Sequence, residues 1–141
     1  MKTKSTDDLR REMEQVADLN YFLEENESQF HMESIVEVLE QIVAERGIQK
    51  STLAKNSGMS VVYLHQIFSR RRNPSRNRVI SLCFGLGLSL EETQVLLRRG
   101  RFAELYLHNR RDAILIYGLM NGMSFFEVND RLFEKNEETL C

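Results

Sequence analysis

At 141 residues the chain suits one ordinary domain, or a small domain with an extension, and its 42 % hydrophobic content supports a real core. No apolar run approaches the ~20 residues of a membrane span, and the first residues, MKTKSTDDLRREMEQ, carry no apolar leader. A net charge of −2 rules out a uniformly polycationic chain, and two cysteines, Cys83 and Cys141, are too few for a disulfide framework, so the expected compartment is the reducing cytoplasm, without membrane contact.

One proline and seven glycines favour long helices over a many-turned sheet protein. Thr6, before Asp7 and Asp8, is the predicted cap of a first helix with Leu9, Met13 and Val16 as its apolar positions. A short second piece, 19–26, presents Leu19, Phe22 and Leu23. The stretch ESIVEVLEQIVAERG then sets Ile35, Val38, Leu39, Ile42 and Val43 on one stripe, with Gly47 as its stop. Further helices are predicted over 50–57, 61–69, 76–86, 90–98, 110–121 and 124–135, with Gly58, Gly87 and Gly122 in the gaps. No alternating pattern argues for a strand, so the predicted fold class is all-α.

Charge is distributed in blocks. Residues 1–47 hold five Lys and Arg against twelve acids, a balance of −7. Residues 48–111 hold twelve against Glu91, Glu92 and Glu104, a balance of +9, and residues 112–141 hold Arg131 and Lys135 against six acids, a balance of −4. Charge fluctuates along any chain, but a polyanion responds to the local potential, and the basic block contains the most informative segment.

That segment starts with the 50–57 helix, where Leu53 and Ala54 point inward and Ala54 is small enough for a close helix crossing. Gly58 stands where a sharp turn needs a left-handed backbone. Ser60 is placed to cap the next helix, which is held down by Leu64, Ile67 and Phe68. Together Ala54, Gly58, Leu64 and Ile67 have the spacing of a helix-turn-helix. The full run, Ser60-x-x-Tyr63-Leu64-x-x-Ile67-x-x-x-Arg71-x-Asn73-Pro74-Ser75, closely resembles the Cro/C1-type (XRE-type) helix-turn-helix regulators of bacteria and phages over about residues 34–98. The resemblance implies a five-helix, lambda-repressor-like domain at 33–99; outside it, charge and helical pattern give an acidic N-terminal helical arm at 1–32 and a C-terminal helical hairpin extension at 100–141.

It also implies roles, which helix geometry can check. At about 100° per residue with Leu64 at zero, Ile67 falls at about 300° and Phe68 at about 40°. The opposite side holds Val62, Gln66 and Ser69, flanked by His65 and Val61; with Ser60 these form the expected base-facing set. Gln66 can pair bidentately with adenine, the valines can meet thymine methyls, and His65 can donate to a base or approach a phosphate. The expected phosphate contacts are Lys50, Ser51, Thr52, Arg70, Arg71, Arg72, Asn73, Ser75, Arg76 and Arg78. The same residues admit other readings. Val61 and Val62 can form an apolar contact with a protein, Tyr63 reads as a packing residue, and the arginine run can be a solvated turn.

The chain also repeats itself. RVISLCFGLGLSLEETQVLLRRG and RDAILIYGLMNGMSFFEVNDRLFEKN share a helix, a Gly-x-Ser cap and a second helix, settling at a spacing of 35 residues. Ser89 with Glu92, and Ser124 with Glu127, are capping boxes. The second copy is expected to stack on the first, and Leu115, Tyr117, Leu119, Phe125, Phe126, Leu132 and Phe133 exceed what one hairpin buries alone. One short reading helix spans few base pairs, so a homodimer is expected, through this hairpin or the acidic N-terminal helices. Those acids can instead cover the arginine face as an autoinhibitory arm, or simply be solvated.

Catalysis finds little support. His31, His65 and His108 are far apart, no cysteine has a partner at metal-ligand spacing, and no phosphate-cradling loop or Gly-x-Ser-x-Gly elbow occurs. No cofactor or metal is expected. The expectation is a sequence-specific transcriptional regulator of double-stranded DNA. The alternatives are a protein-binding adaptor built on the same scaffold and its apolar C-terminal hairpin, and a nucleoid-type binder without sequence preference.

Overall fold

The computed structural model describes residues 4–26 and 35–141, which divide between two compact units, Met1–Ser34 and Ile35–Cys141. Among the described residues the secondary structure is helical, without a strand.

The first unit pairs α1 (Thr6–Gln15) with α2 (Leu19–Glu25). Its N-cap is Ser5 rather than the predicted Thr6: the Ser5 hydroxyl accepts from the Asp8 amide at 3.1 Å, and Thr6 is already helical. Phe22 is the buried apolar anchor. Beside it Lys4 Nζ donates to Glu12 Oε1 and Asn26 Oδ1, both at 2.7 Å, while Asn26 Nδ2 donates to Glu12 Oε2 at 2.9 Å. The Lys4 hydrogen bond, followed by that from Asn26, holds the Glu12 carboxyl below its ordinary range. Met13, Leu19, Tyr21 and Leu23 stay exposed.

The second unit runs α3 (Ile35–Arg46), α4 (Lys50–Asn56), α5 (Val61–Phe68), α6 (Arg76–Leu86), α7 (Leu90–Arg99), α8 (Arg110–Met120) and α9 (Phe125–Glu134). Glu33 and Ser34 of the predicted third helix lie outside the described residues. In α3 the buried residues are Val36 and Leu39, while Ile35, Val38, Ile42 and Val43 pack half-buried around them; Val36 was not on the predicted stripe.

One C-terminal turn ends all seven of these helices. A residue just past the last helical turn has positive φ and donates to the carbonyl three residues earlier, and the next amide donates to the carbonyl five residues earlier, the Schellman pattern. Gly87 N to Phe84 O and Leu88 N to Cys83 O is one instance; Gly122 N to Leu119 O and Met123 N to Gly118 O is its counterpart 35 residues on. Gly47 and Gly58 fill the position in α3 and α4, but Arg70, Arg101 and Asn136 fill it after α5, α7 and α9, at φ of +63°, +61° and +59°. Serine then caps four of the helices: Ser60, Ser75, Ser89 and Ser124 each accept the amide three residues on, and Ser89–Glu92 and Ser124–Glu127 complete capping boxes.

These helices share one core, centred on Leu39, Leu53, Leu64, Ile67, Ile80, Leu82, Leu96 and Leu97 and continued by Leu115, Phe125, Val128 and Leu132 of the hairpin. Small residues permit the close crossings. Gly85 lies against the Ser57 side chain, Gly118 lies against Val128 and Phe84, and the Phe125 ring packs directly on Gly58. The link between α7 and α8 is clamped by one amide: Gln94 Nε2 donates to Leu105 O at 2.8 Å, and Leu105 N donates to Gln94 Oε1 at 2.7 Å. Beyond α9, Arg111 donates to the carbonyls of Glu138 and Thr139, and Leu140 is buried. The hairpin residues pooled by the sequence thus separate: Leu115, Leu119, Phe125 and Leu132 are core, and Tyr117, Phe126 and Phe133 are exposed.

Candidate nucleic-acid interface

The α4–α5 corner is built from inside out. Leu53, Ala54, Leu64 and Ile67 are fully buried, and Gly58 at φ +66° makes the turn between the helices. Ser60 Oγ accepts from Tyr63 N at 3.1 Å and so fixes where α5 begins. With Leu64, Ile67 and Phe68 inward, Ser60, Val61, Val62, His65 and Ser69 are exposed and Gln66 is half-buried. Val62, at 68 % exposure, is the most prominent apolar residue on that face. All six predicted base-facing residues therefore lie together on the solvent side of the corner.

The turn after α5 brings the arginines back over the helix. Both Arg71 N and Arg72 N donate to Gln66 O, at 3.0 and 3.2 Å. Arg72 Nε then donates to Gln66 Oε1 at 3.0 Å, and its guanidinium carbon stands 5.0 Å from the Tyr63 ring centroid. Arg78 approaches the same ring at 4.9 Å. Tyr63 is a platform for two cations, a role beyond the packing expected of it. The sequence carried no signal for it, because Arg70 occupies the turn position that glycine would have advertised.

The remaining predicted phosphate contacts fall into distinct settings. Ser51, Thr52, Arg71 and Asn73 are exposed, and among the described residues nothing pairs with the Arg71 guanidinium. Lys50 Nζ lies 4.8 Å above the Phe68 ring, joining the start of α4 to the end of α5. Arg70 reaches Glu37 at 3.4 Å, a pair more than half exposed on both sides and so weak. Ser75 is the N-cap of α6, accepting from Arg78 N at 3.2 Å.

Arg76 is engaged inward. Its Nε donates to Ala103 O at 2.9 Å, and its Nη2 lies 3.4 Å from both Glu104 O and Asp112 Oδ2. Asp112, almost wholly buried, also accepts from Tyr106 N at 3.0 Å. The structure therefore separates Arg76 from the outward arginines, and nothing in the local sequence marks a partner 36 residues away.

Elsewhere the chemistry is quiet. Burial pushes the Cys83 thiol up to about 12. Among the described residues no three His, Cys, Asp or Glu side chains gather as a metal site, and no helix is long and apolar enough to cross a membrane. Residues 39–92 match the family model described as Helix-turn-helix, the Cro/C1 type that the sequence resembles. No curated protein and no solved structure matches the chain.

Proposed function

Residues 39–92 form a helix-turn-helix domain of the kind found in DNA-binding transcriptional regulators, and from that premise we propose that the protein is a cytoplasmic regulator that reads operator DNA with α5 in the major groove, as a homodimer. One observation carries the reading. The solvent face of α5 and its C-cap holds Val61, Val62, His65, Gln66 and Ser69, and the turn that ends the helix delivers Arg70, Arg71 and Arg72 to its rim. Side chains on such a face meet base edges, and a cationic rim meets the phosphates on either side.

Within this reading Ser60, Val61, Val62, His65, Gln66 and Ser69 face bases. Lys50, Ser51, Thr52, Arg70, Arg71, Arg72, Asn73, Ser75 and Arg78 face phosphates. Arg76 leaves the phosphate set, because Asp112 and two carbonyls engage its Nε and Nη2 and turn the guanidinium inward. Selection of duplexes from a random library, with wild type and Gln66→Ala, tests the proposal. A recovered consensus that loses preference at one base pair in Gln66→Ala supports it; loss of affinity equal across all duplexes contradicts base reading.

Pairing is assigned to α9. Phe126 and Phe133 are 53 % and 75 % exposed and lie seven residues apart on one face, with Asp130 beside them. A second copy is the natural cover, because the two exposed rings of one α9 can bury those of another across a two-fold axis. The groove between α8 and α9 is a poorer candidate, since Arg110, Arg131 and Lys135 all line it and two such rims repel. Light scattering of Phe133→Glu, monomeric where wild type is dimeric, checks this assignment. A second reading, a protein-binding adaptor, is favoured by the exposed Val62 and by that same groove, which Ile114, Tyr117 and Met123 make apolar.

A further inference from the structure

We infer that Arg72 is a positioning residue for Gln66, and through it a determinant of which base pair the protein prefers, a role that rests on the major-groove reading above. A side-chain amide presents an oxygen acceptor on one side and two N–H donors on the other. Unheld, it rotates, and offers donor or acceptor to a base edge with little preference. Here Arg72 Nε donates to Gln66 Oε1 at 3.0 Å and fixes the oxygen toward the arginine turn.

Arg72 is itself fixed. Its amide donates to Gln66 O, and its guanidinium rests on the Tyr63 ring, which Arg78 flanks as well. Tyr63, Gln66 and Arg72 therefore form one unit in which the arginine spans the reading helix and the turn beyond it. Among the described residues no carboxylate pairs with Arg72 or Arg78. The second lone pair of Oε1 and both N–H groups of Gln66 remain available, as do the Nη groups of Arg72.

The consequence is chemical. Adenine shows an acceptor at N7 beside a donor at N6, and guanine shows two acceptors. An amide of fixed orientation matches the first pattern and sets its oxygen against O6 in the second. Holding Gln66 thus raises discrimination against guanine, while the charge of Arg72 serves the phosphates as any cation does.

Charge and orientation separate in Arg72→Lys, which keeps the cation and removes the planar Nε–H edge. The full chain is used, with the selected duplex and its variants at the base pair that Gln66→Ala identifies; Arg101→Lys, exposed and outside the interface, is the control, and circular dichroism confirms folding of each. Arg72→Lys is expected to lower discrimination at that one base pair by about threefold to tenfold, the worth of one hydrogen bond, with an unchanged salt slope. Arg101→Lys is expected to change neither. In the Gln66→Ala background Arg72→Lys should cost no further discrimination. Full discrimination in Arg72→Lys, or a loss spread evenly over all duplexes, overturns the inference. Preferences unaltered at every position in Gln66→Ala overturn base reading by Gln66 itself, a result distinct from the first.

Discussion

Arg76, in the first turn of α6, holds Asp112, in the first turn of α8, with Nη2 3.4 Å from Oδ2 and side chains only 26 % and 10 % exposed. This contact ties the helix that follows the arginine turn to the C-terminal hairpin. Arg76→Met is expected to destabilise the fold by about 1–3 kcal/mol, because Asp112 keeps its burial and loses its cation. DNA affinity measured well below the melting temperature should fall little. A normal melting temperature combined with weakened DNA binding would return Arg76 to the phosphate set.

The Phe125 ring on Gly58 makes a second tie, this time to the turn between α4 and α5. Gly58→Ala meets a left-handed backbone, at a cost of about 1 kcal/mol, and a ring already in contact, at about 1–3 kcal/mol more. Gly87→Ala meets the same φ of +66° with open space around it. Denaturant midpoints should therefore rank wild type above Gly87→Ala above Gly58→Ala, with Phe125→Leu recovering part of the last deficit. Equal losses at the two glycines would show that the ring can yield.

Arg70 sits where glycine ends the neighbouring helices. Its φ of +63° is a left-handed conformation in a residue with a Cβ. Arg70→Gly is expected to stabilise the protein by about 0.5–1 kcal/mol, its weak pair with Glu37 offsetting little of that. The same substitution should weaken DNA binding and reduce the salt slope by about 0.9, one phosphate contact. Gain in one measurement and loss in the other would mark a strained residue retained for binding. A stabilised variant with undiminished affinity would remove Arg70 from the interface.

Glu92 closes the capping box of α7. The backbone hydrogen bond from Ser89, with Arg46 contributing less, holds its carboxyl below the ordinary 4.5. Its folded value lies below its unfolded one, so the stabilisation is complete above that ordinary value and is lost as pH falls through the folded value. Glutamine still accepts from Ser89 N but does not titrate. Melts of Glu92→Gln from about pH 7 to about pH 3 should lie below wild type near neutrality and converge with it in acid. Parallel curves would show that this carboxyl does not contribute.

Much of the fold was legible because its signals are local. Gly58, Ser60, Gly87, Ser89, Gly122 and Ser124 each mark a turn or a cap within a few residues of the backbone they fix. Arg70 and Arg101 were not legible as turn residues, because arginine occupies the left-handed position that glycine advertises. The outward face of α5 followed from the burial of Leu64 and Ile67. The Gln66–Arg72–Tyr63 unit did not, since helical periodicity ends at Phe68 and only the turn geometry returns Arg72. Long-range partners were beyond sequence reach: Asp112 for Arg76, Phe125 for Gly58, and Asn77 with the 138–139 carbonyls for Arg111. So was the division of neighbouring aromatics, with Phe125 buried and Phe126 exposed.

The most direct measurement is a salt titration of binding to random duplex DNA, comparing wild type with the variant carrying Arg70→Glu, Arg71→Glu and Arg72→Glu. The account predicts that wild-type affinity falls linearly in log salt, about 0.9 in slope per phosphate contact, and that the variant loses both affinity and slope. No binding by wild type at low salt, or binding that the three reversals leave intact, would contradict it.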